Sequence, residues 1–142
     1  PDIAFSSDFI VGFPGETDKD FQETLALIER VTFASAYSFK YSIRPGTPAA
    51  EMPDQIAEDL KDRRLHELQR LISRQQKQFQ NSMVGQTLDI LVEKTGRYPG
   101  QVAGKSPHLL AVAFEGSPHL IGQVVKVEIT ESVTNSLVGR IV

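Results

Sequence analysis

The stretch Ser6-Ser7-Asp8-Phe9-Ile10-Val11-Gly12-Phe13-Pro14-Gly15-Glu16-Thr17 constrains this chain most. An apolar run of strand length ends in Gly-Phe-Pro-Gly, and Thr17 followed by Asp20 then gives the hydroxyl-and-acid spacing that opens a helix. The result is a strand-turn-helix unit. Its turn falls at the carboxyl end of the strand, where parallel α/β folds build ligand sites, and its glycines let backbone approach a ligand closely. The same geometry also serves as a plain connection.

The helix expected from Thr17 to Val31 is amphipathic: Phe21, Leu25 and Ile28 fall on one face while Asp18, Lys19, Gln22, Glu23, Glu29 and Arg30 stay wet. Phe33 to Ile43 reads as a strand with Tyr37, Phe39 and Tyr41 on one side and Ser38, Lys40 and Ser42 on the other. On that pattern Lys40 points toward a barrel interior or its mouth, or is a solvated or salt-bridged cation. Arg44-Pro45-Gly46-Thr47-Pro48 stops the strand in a rigid turn. Two strands and a helix close no barrel, so the first third alone leaves sheet edges and one sheet face exposed, and self-association through it is expected.

Asp54 is expected to cap a long helix running from Gln55 to about Met83, with Ile56, Leu60, Leu68, Leu71, Ile72, Phe79 and Met83 as its apolar set. It would be about 40 Å long at 1.5 Å per residue, enough to hold two domains apart or cross one of them. Arg63, Arg70, Arg74 and Lys77 form a stripe on it, with Glu67 among them. Such a stripe is a solvated face or a line of phosphate contacts.

From Gly85 the period changes to two. Leu88, Ile90 and Val92, then Leu110, Val112 and Phe114, then Val125, Val127 and Ile129 alternate with other residues, and turn signals stand at Lys94-Thr95-Gly96, Glu115-Gly116-Ser117-Pro118 and Thr134-Asn135-Ser136. Adding Gly100–Lys105 and Leu137–Val142 makes about five short strands, a count that favours a small barrel because closure removes unprotected edges. Gly122 and Gly139 suit sharp bends at its corners.

A net charge of −3 argues against a general polyanion binder, but it is unevenly spread. Residues 1–53 hold four basic against eight acidic side chains, residues 54–84 six against five, and residues 85–142 five against five. Any nucleic-acid surface must come from local clustering. Lys94, Arg97, Lys105, His108 and Arg140, with Tyr98, form one such group on the expected barrel, cations for phosphate and an aromatic ring for base stacking.

The chain has no cysteine, which excludes disulfides, thiol catalysis and thiolate-held metal within it. His66, His108 and His119 show no ligand spacing. Gly100-Gln-Val-Ala-Gly104-Lys105-Ser106 is not a phosphate-binding P-loop: its glycines stand one residue too close, and Pro107 then strand follow where a helix is required. No catalytic nucleophile or acid is visible, no apolar run is long enough to span a bilayer, and no signal peptide opens the chain; a cytoplasmic protein is expected.

SSDFIVGFPGETDKDFQETLALI with YSFKYSIRPGTPAAEM closely resembles the last part of the barrel of the radical S-adenosylmethionine methylthiotransferase family. GRYPGQVAGKSPHLLAVAFEG with the ending NSLVGRIV resembles the TRAM domain, a small oligonucleotide-binding-like RNA module. The fold class these resemblances imply is α+β: the truncated end of a radical S-adenosylmethionine (β/α) barrel in residues 1–53, a linker helix in residues 54–84, and a five-stranded TRAM barrel in residues 85–142. Gly12, Phe13, Pro14 and Gly15 would line the cofactor end of the barrel, and Arg44 would meet RNA phosphate or a cofactor carboxylate on the substrate side. Lys94, Arg97, Lys105 and Arg140 would hold the anticodon arm of a tRNA.

Such enzymes use S-adenosylmethionine and two 4Fe–4S clusters, one generating a radical and the other delivering sulfur. YSFKYSIRPGTPAA looks most like the branch that adds a methylthio group to C2 of an isopentenylated adenosine next to the anticodon. Sibling branches act on threonylcarbamoyl-adenosine in tRNA or on a ribosomal protein. A free-standing RNA-binding module without a reaction is the alternative from another class. Lacking every cluster cysteine, this chain alone is expected to be inactive.

Overall fold

The computed structural model describes residues 2–142, which divide into two compact units, Ala4–Gln76 and, with the first few residues, Lys77–Val142. In the first unit, strand β1 (Ser6–Val11) leads to helix α1 (Asp18–Val31), which returns to strand β2 (Ser35–Lys40). A short helix α2 (Pro48–Glu51) and the long helix α3 (Glu58–Ser82) follow.

β1 and β2 pair in parallel from Ser6↔Ser35 to Val11↔Lys40. The capping box is formed: the Asp20 N–H donates to Thr17 Oγ1 at 3.1 Å, and the Thr17 N–H donates to Asp20 Oδ2 at 2.8 Å. These bonds hold the Asp20 carboxyl below its ordinary value, because they favour the charged form. Inside the unit, Phe21 and Ile28 of α1 meet Val11, Phe33, and Leu68, Leu71 and Ile72 of α3. Each such side chain contributes roughly 1.5–3 kcal/mol on burial.

The other face of this sheet is bare. Ile10, Tyr37 and Phe39 are all exposed, with Asp8 opposite Tyr37 and Ile10 opposite Phe39 in the register. Lys40 points the opposite way from the barrel-facing position allowed for it. It lies on the helix side, where its Nζ reaches Asp62 at 2.7 Å and Glu58 at 3.1 Å.

Two boundaries differ from expectation. The expected Phe33–Ile43 strand is trimmed to Ser35–Lys40, since Phe33 and Ala34 turn into the core. α3 begins at Glu58, and Asp54 does not cap it; the Asp54 carbonyl instead accepts the Gly15 N–H at 2.8 Å. The α3 apolar set serves both units: Leu68, Leu71 and Ile72 lie in the first core, and Phe79 and Met83 pack on the second.

In the second unit, β3 (Thr87–Thr95), β4 (Gln101–Lys105), β5 (Ala111–Glu115), β6 (Val124–Ser132) and β7 (Leu137–Ile141) close into a barrel of order β3-β4-β5-β7-β6. The period-two residues Ile90, Val92, Val112, Phe114, Val127 and Ile129 fill it, together with Val102 and Leu137. Closure leaves no room at Gly104, where an added Cβ would stand 2.0 Å from the Leu91 carbonyl oxygen. Gly122 turns with φ +88°, whereas Gly139, expected at a bend, is needed for close approach: its Cβ would meet Val127 Cγ1 at 2.5 Å and the Glu128 oxygen at 2.6 Å.

Candidate nucleic-acid interface and cofactor-end turn

On the barrel, the tip between β3 and β4 is built by one side chain. Gln101 Oε1 accepts the N–H groups of Arg97 and Tyr98 at 3.0 and 3.4 Å, while the Gly96 N–H donates to the Gln101 carbonyl at 2.6 Å. The tip therefore presents Arg97 and Tyr98 outward in a fixed loop. Tyr98 is 64% exposed, and the Arg97 guanidinium stands 5.9 Å from its ring centre.

Beside the tip lies a groove of about 390 Å³ whose lining includes Lys94, Arg97 and Gln101 over a floor of Ala103, Ala111 and Ala113. Lys105 belongs to the same outward face of β4 as Gln101 and Ala103, because alternate residues of a strand share a face. Lys94, Arg97 and Lys105 form no ion pair among the described residues. Lys94 and Arg97 line a shallow floor of small side chains, Tyr98 lies beside Arg97, and Lys105 stands on the same face of β4, an arrangement suited to phosphate contact and base stacking.

Arg140 is placed differently. Its Nε and Nη2 both donate to Glu128 Oε2 at 2.8 Å, across β6 and β7, which neutralises it. It lines a second groove with Gln101, Phe114, Glu115 and Val138. His108 packs its ring edge-on to Phe79 at 5.5 Å and takes no part in the first groove.

In the other unit, Gly12 and Pro14 are buried while Phe13 and Gly15 are exposed. Gly12 has φ +73°, and its N–H donates to Glu16 Oε1 at 3.0 Å. Phe13 lies edge-on to Tyr41 at 5.5 Å, and nothing stands within 4 Å of where a Cβ on Gly15 would be. Arg44 is exposed on its turn, with its carbonyl accepting from the Thr47 hydroxyl at 2.7 Å. On α3, Arg63 and Arg74 lie 3.8 Å from Asp59 and 3.5 Å from Glu29, both on the surface.

Three buried polar residues of α3, Lys61, Arg64 and Gln75, were not singled out by the sequence reading. Arg64 and Lys61 pack behind the Gly-Phe-Pro-Gly turn, and Gln75 ties the end of α1 to the start of β2. The helix periodicity contained the signal: Lys61, Arg64, Leu68, Leu71, Ile72 and Gln75 recur at three- and four-residue steps, the spacing of one helical face.

Compared with known proteins, residues 81–142 match the TRAM domain family. Along its whole length the chain is also similar to the tRNA-2-methylthio-N(6)-dimethylallyladenosine synthase of Agrobacterium fabrum (strain C58 / ATCC 33970), at 55% identity over 141 residues. That alignment takes in 99% of this chain and 31% of the relative, so the chain spans about a third of the relative's length. The similarity thus takes in both the strand-turn-helix unit and the closed five-stranded barrel of this α+β chain.

Proposed function

We propose that this chain is the C-terminal part of a radical S-adenosylmethionine methylthiotransferase that adds a methylthio group to C2 of an isopentenylated adenosine next to the anticodon. Residues 1–53 end its barrel, residues 54–84 are the connecting helix, and residues 85–142 grip the tRNA. The observation that carries the RNA role is the groove of the small barrel lined by Lys94 and Arg97, with exposed Tyr98 beside Arg97 and Lys105 on the same face of β4, the three cations unpaired among the described residues. The similarity along the whole chain to a tRNA-2-methylthio-N(6)-dimethylallyladenosine synthase supports the rest.

For the cofactor, exposed Ile10 and Phe39 on the bare sheet face, and exposed Phe13 and open Gly15 in the turn after β1, offer an apolar shelf to a flat purine. Gly12 and Pro14 are the buried residues of the same turn. S-adenosylmethionine and two 4Fe–4S clusters supply the radical chemistry and the sulfur in such an enzyme. This chain has no cysteine to ligate a cluster, so alone it is inactive. Arg44, exposed at the next turn, is available to phosphate. The enzyme works in the cytoplasm, and among the described residues no helix is long and apolar enough to cross a membrane.

The test is titration of an anticodon stem-loop RNA against the chain at several salt concentrations. Each phosphate contact in single-stranded RNA contributes about 0.7 to the log–log salt slope, so R97A with K105A should lower the slope by about 1.4 and weaken binding. R140A, whose cation is already paired, should change it less. An unchanged slope in the double variant refutes the assignment. The bare sheet face also predicts that the chain made alone self-associates; light scattering showing a monomer that binds no hydrophobic dye would overturn this.

A further inference from the structure

We infer that Arg64 and Lys61 of α3 are positioning residues for the Gly12-to-Glu16 turn, setting which of its atoms face the S-adenosylmethionine shelf; this rests on the cofactor reading above. Both cations are 4% exposed, although they belong to a helix that the resemblance implies is a linker. Burying two cations is costly unless each is paired and hydrogen-bonded. Both are, and their partners surround the turn.

Arg64 uses its fork. Nη1 donates to the Glu16 carbonyl at 3.0 Å and to Glu16 Oε1 at 2.9 Å, and Nη2 donates to Asp18 Oδ1 at 2.6 Å. The same Glu16 Oε1 accepts the Gly12 N–H. One carboxylate oxygen therefore joins the first residue of the turn to α3, and a single-point cation such as lysine could not reproduce the whole arrangement.

Lys61 acts from the other side. Its stem fills the space a side chain at position 12 would need, with Cγ 2.3 Å from the site of a Cβ, and its Nζ donates to the Tyr41 carbonyl at 3.1 Å. Tyr41 is the ring against which Phe13 rests. Lys61 also pairs with Glu58 one turn earlier on α3. The Gly15 N–H donates to the Asp54 carbonyl, so the turn is anchored at Gly12 and Gly15, while Phe13 and Gly15 stay exposed.

The experiment measures binding of S-adenosylhomocysteine to the complete enzyme carrying R64A or R64K, together with thermal midpoints. Small displacements of a positioning group cost up to about 100-fold, so R64A should raise the dissociation constant by about 10-fold to 100-fold and R64K by less. A thermal shift in R64K with an unchanged dissociation constant would mean a purely structural role and would overturn the inference. Amide exchange at Gly12 is followed in parallel in this chain, and it should accelerate in R64A. Wild-type exchange rates there overturn the clamp whatever the ligand, whereas failure of the unsubstituted enzyme to bind the analogue overturns the cofactor reading and leaves the exchange result to decide the clamp.

Discussion

Replacing Gln75 by leucine tests whether α3 is a structural member of the first unit. The Gln75 side chain is 4% exposed; its Oε1 accepts the Phe33 N–H at 2.9 Å, and its Nε2 donates to the Ile28 carbonyl at 2.8 Å. The Ile28 carbonyl keeps a second donor, the Thr32 N–H at 3.0 Å, so leucine leaves it satisfied. The Phe33 N–H is left buried without an acceptor, which costs about 1–3 kcal/mol, and the lost bond to Ile28 adds about 0.5–1.5 kcal/mol. Leucine recovers part of this by burying apolar surface, so the net loss should be about 2 kcal/mol. In a unit of this size that lowers its thermal midpoint by roughly 8–16 °C. Denaturant unfolding gives the free energy, and amide exchange at Phe33 gives its location. A glutamate at position 75 sharpens the test. Its carboxylate can accept from Phe33 but sets an oxygen against the Ile28 carbonyl, and burial favours its neutral form. Q75E should therefore regain stability as pH falls and the protonated acid can donate to Ile28. A loss under about 0.5 kcal/mol in Q75L, with Phe33 still protected, would refute the reasoning.

Two further predictions concern the barrel and the surface charges. G104A should part β3 from β4, because its methyl group would stand 2.0 Å from the Leu91 oxygen; overpacking of this kind costs about 1–3 kcal/mol, and a thermal midpoint within a degree of wild type would contradict it. The second concerns pH. Bonds from Lys61 and then Lys40 hold the Glu58 carboxyl below its ordinary 4.5, and the capping bonds from Thr17 hold Asp20 below 3.8. Their stabilisation is complete above those values and is lost as pH falls through the lower folded ones. Lys40, raised above 10.5 by Asp62 and then Glu58, stabilises below that value and ceases to as pH rises through its folded one. The unit should be flat between about pH 5 and 10 and weaken on both sides; E58Q should shrink both limbs, and pH curves superimposable on wild type would sink the assignment.

Much of the architecture was legible because it depends on local patterns. The Thr17–Asp20 capping box fixes where α1 begins, and the switch to period two at Gly85 announces the barrel whose inward residues are the ones the alternation selects. The ends of elements were less legible. Asp54 has the chemistry of an N-cap, but its carbonyl is used by Gly15, a partner distant in the chain, and the helix starts at Glu58. The candidate RNA residues were identified by type and then sorted by neighbours that no spacing rule reveals. Arg97 is oriented by Gln101, and Arg140 is neutralised by Glu128 on the adjacent strand.

The clearest gap concerns α3, and its cause is general. A charge on a helix is read as marking the wet face, since a lone buried cation is prohibitively costly. That inference fails where another segment brings carboxylates and carbonyls to the same face. Arg64 and Lys61 are such a case: their partners Glu16, Asp18 and Tyr41 lie 48, 46 and 20 residues away in sequence, and the pairs exist only after β1, α1 and β2 have packed. The apolar residues that bring α3 there, Leu68, Leu71 and Ile72, are readable one by one. Extended N-terminally by helical steps of four and three, the same face includes Arg64 and Lys61. The face, taken as a whole, therefore implies an acidic or carbonyl-rich partner. The Gly-Phe-Pro-Gly-Glu turn is that partner, which makes the helix leading into the five-stranded barrel part of the support of the turn.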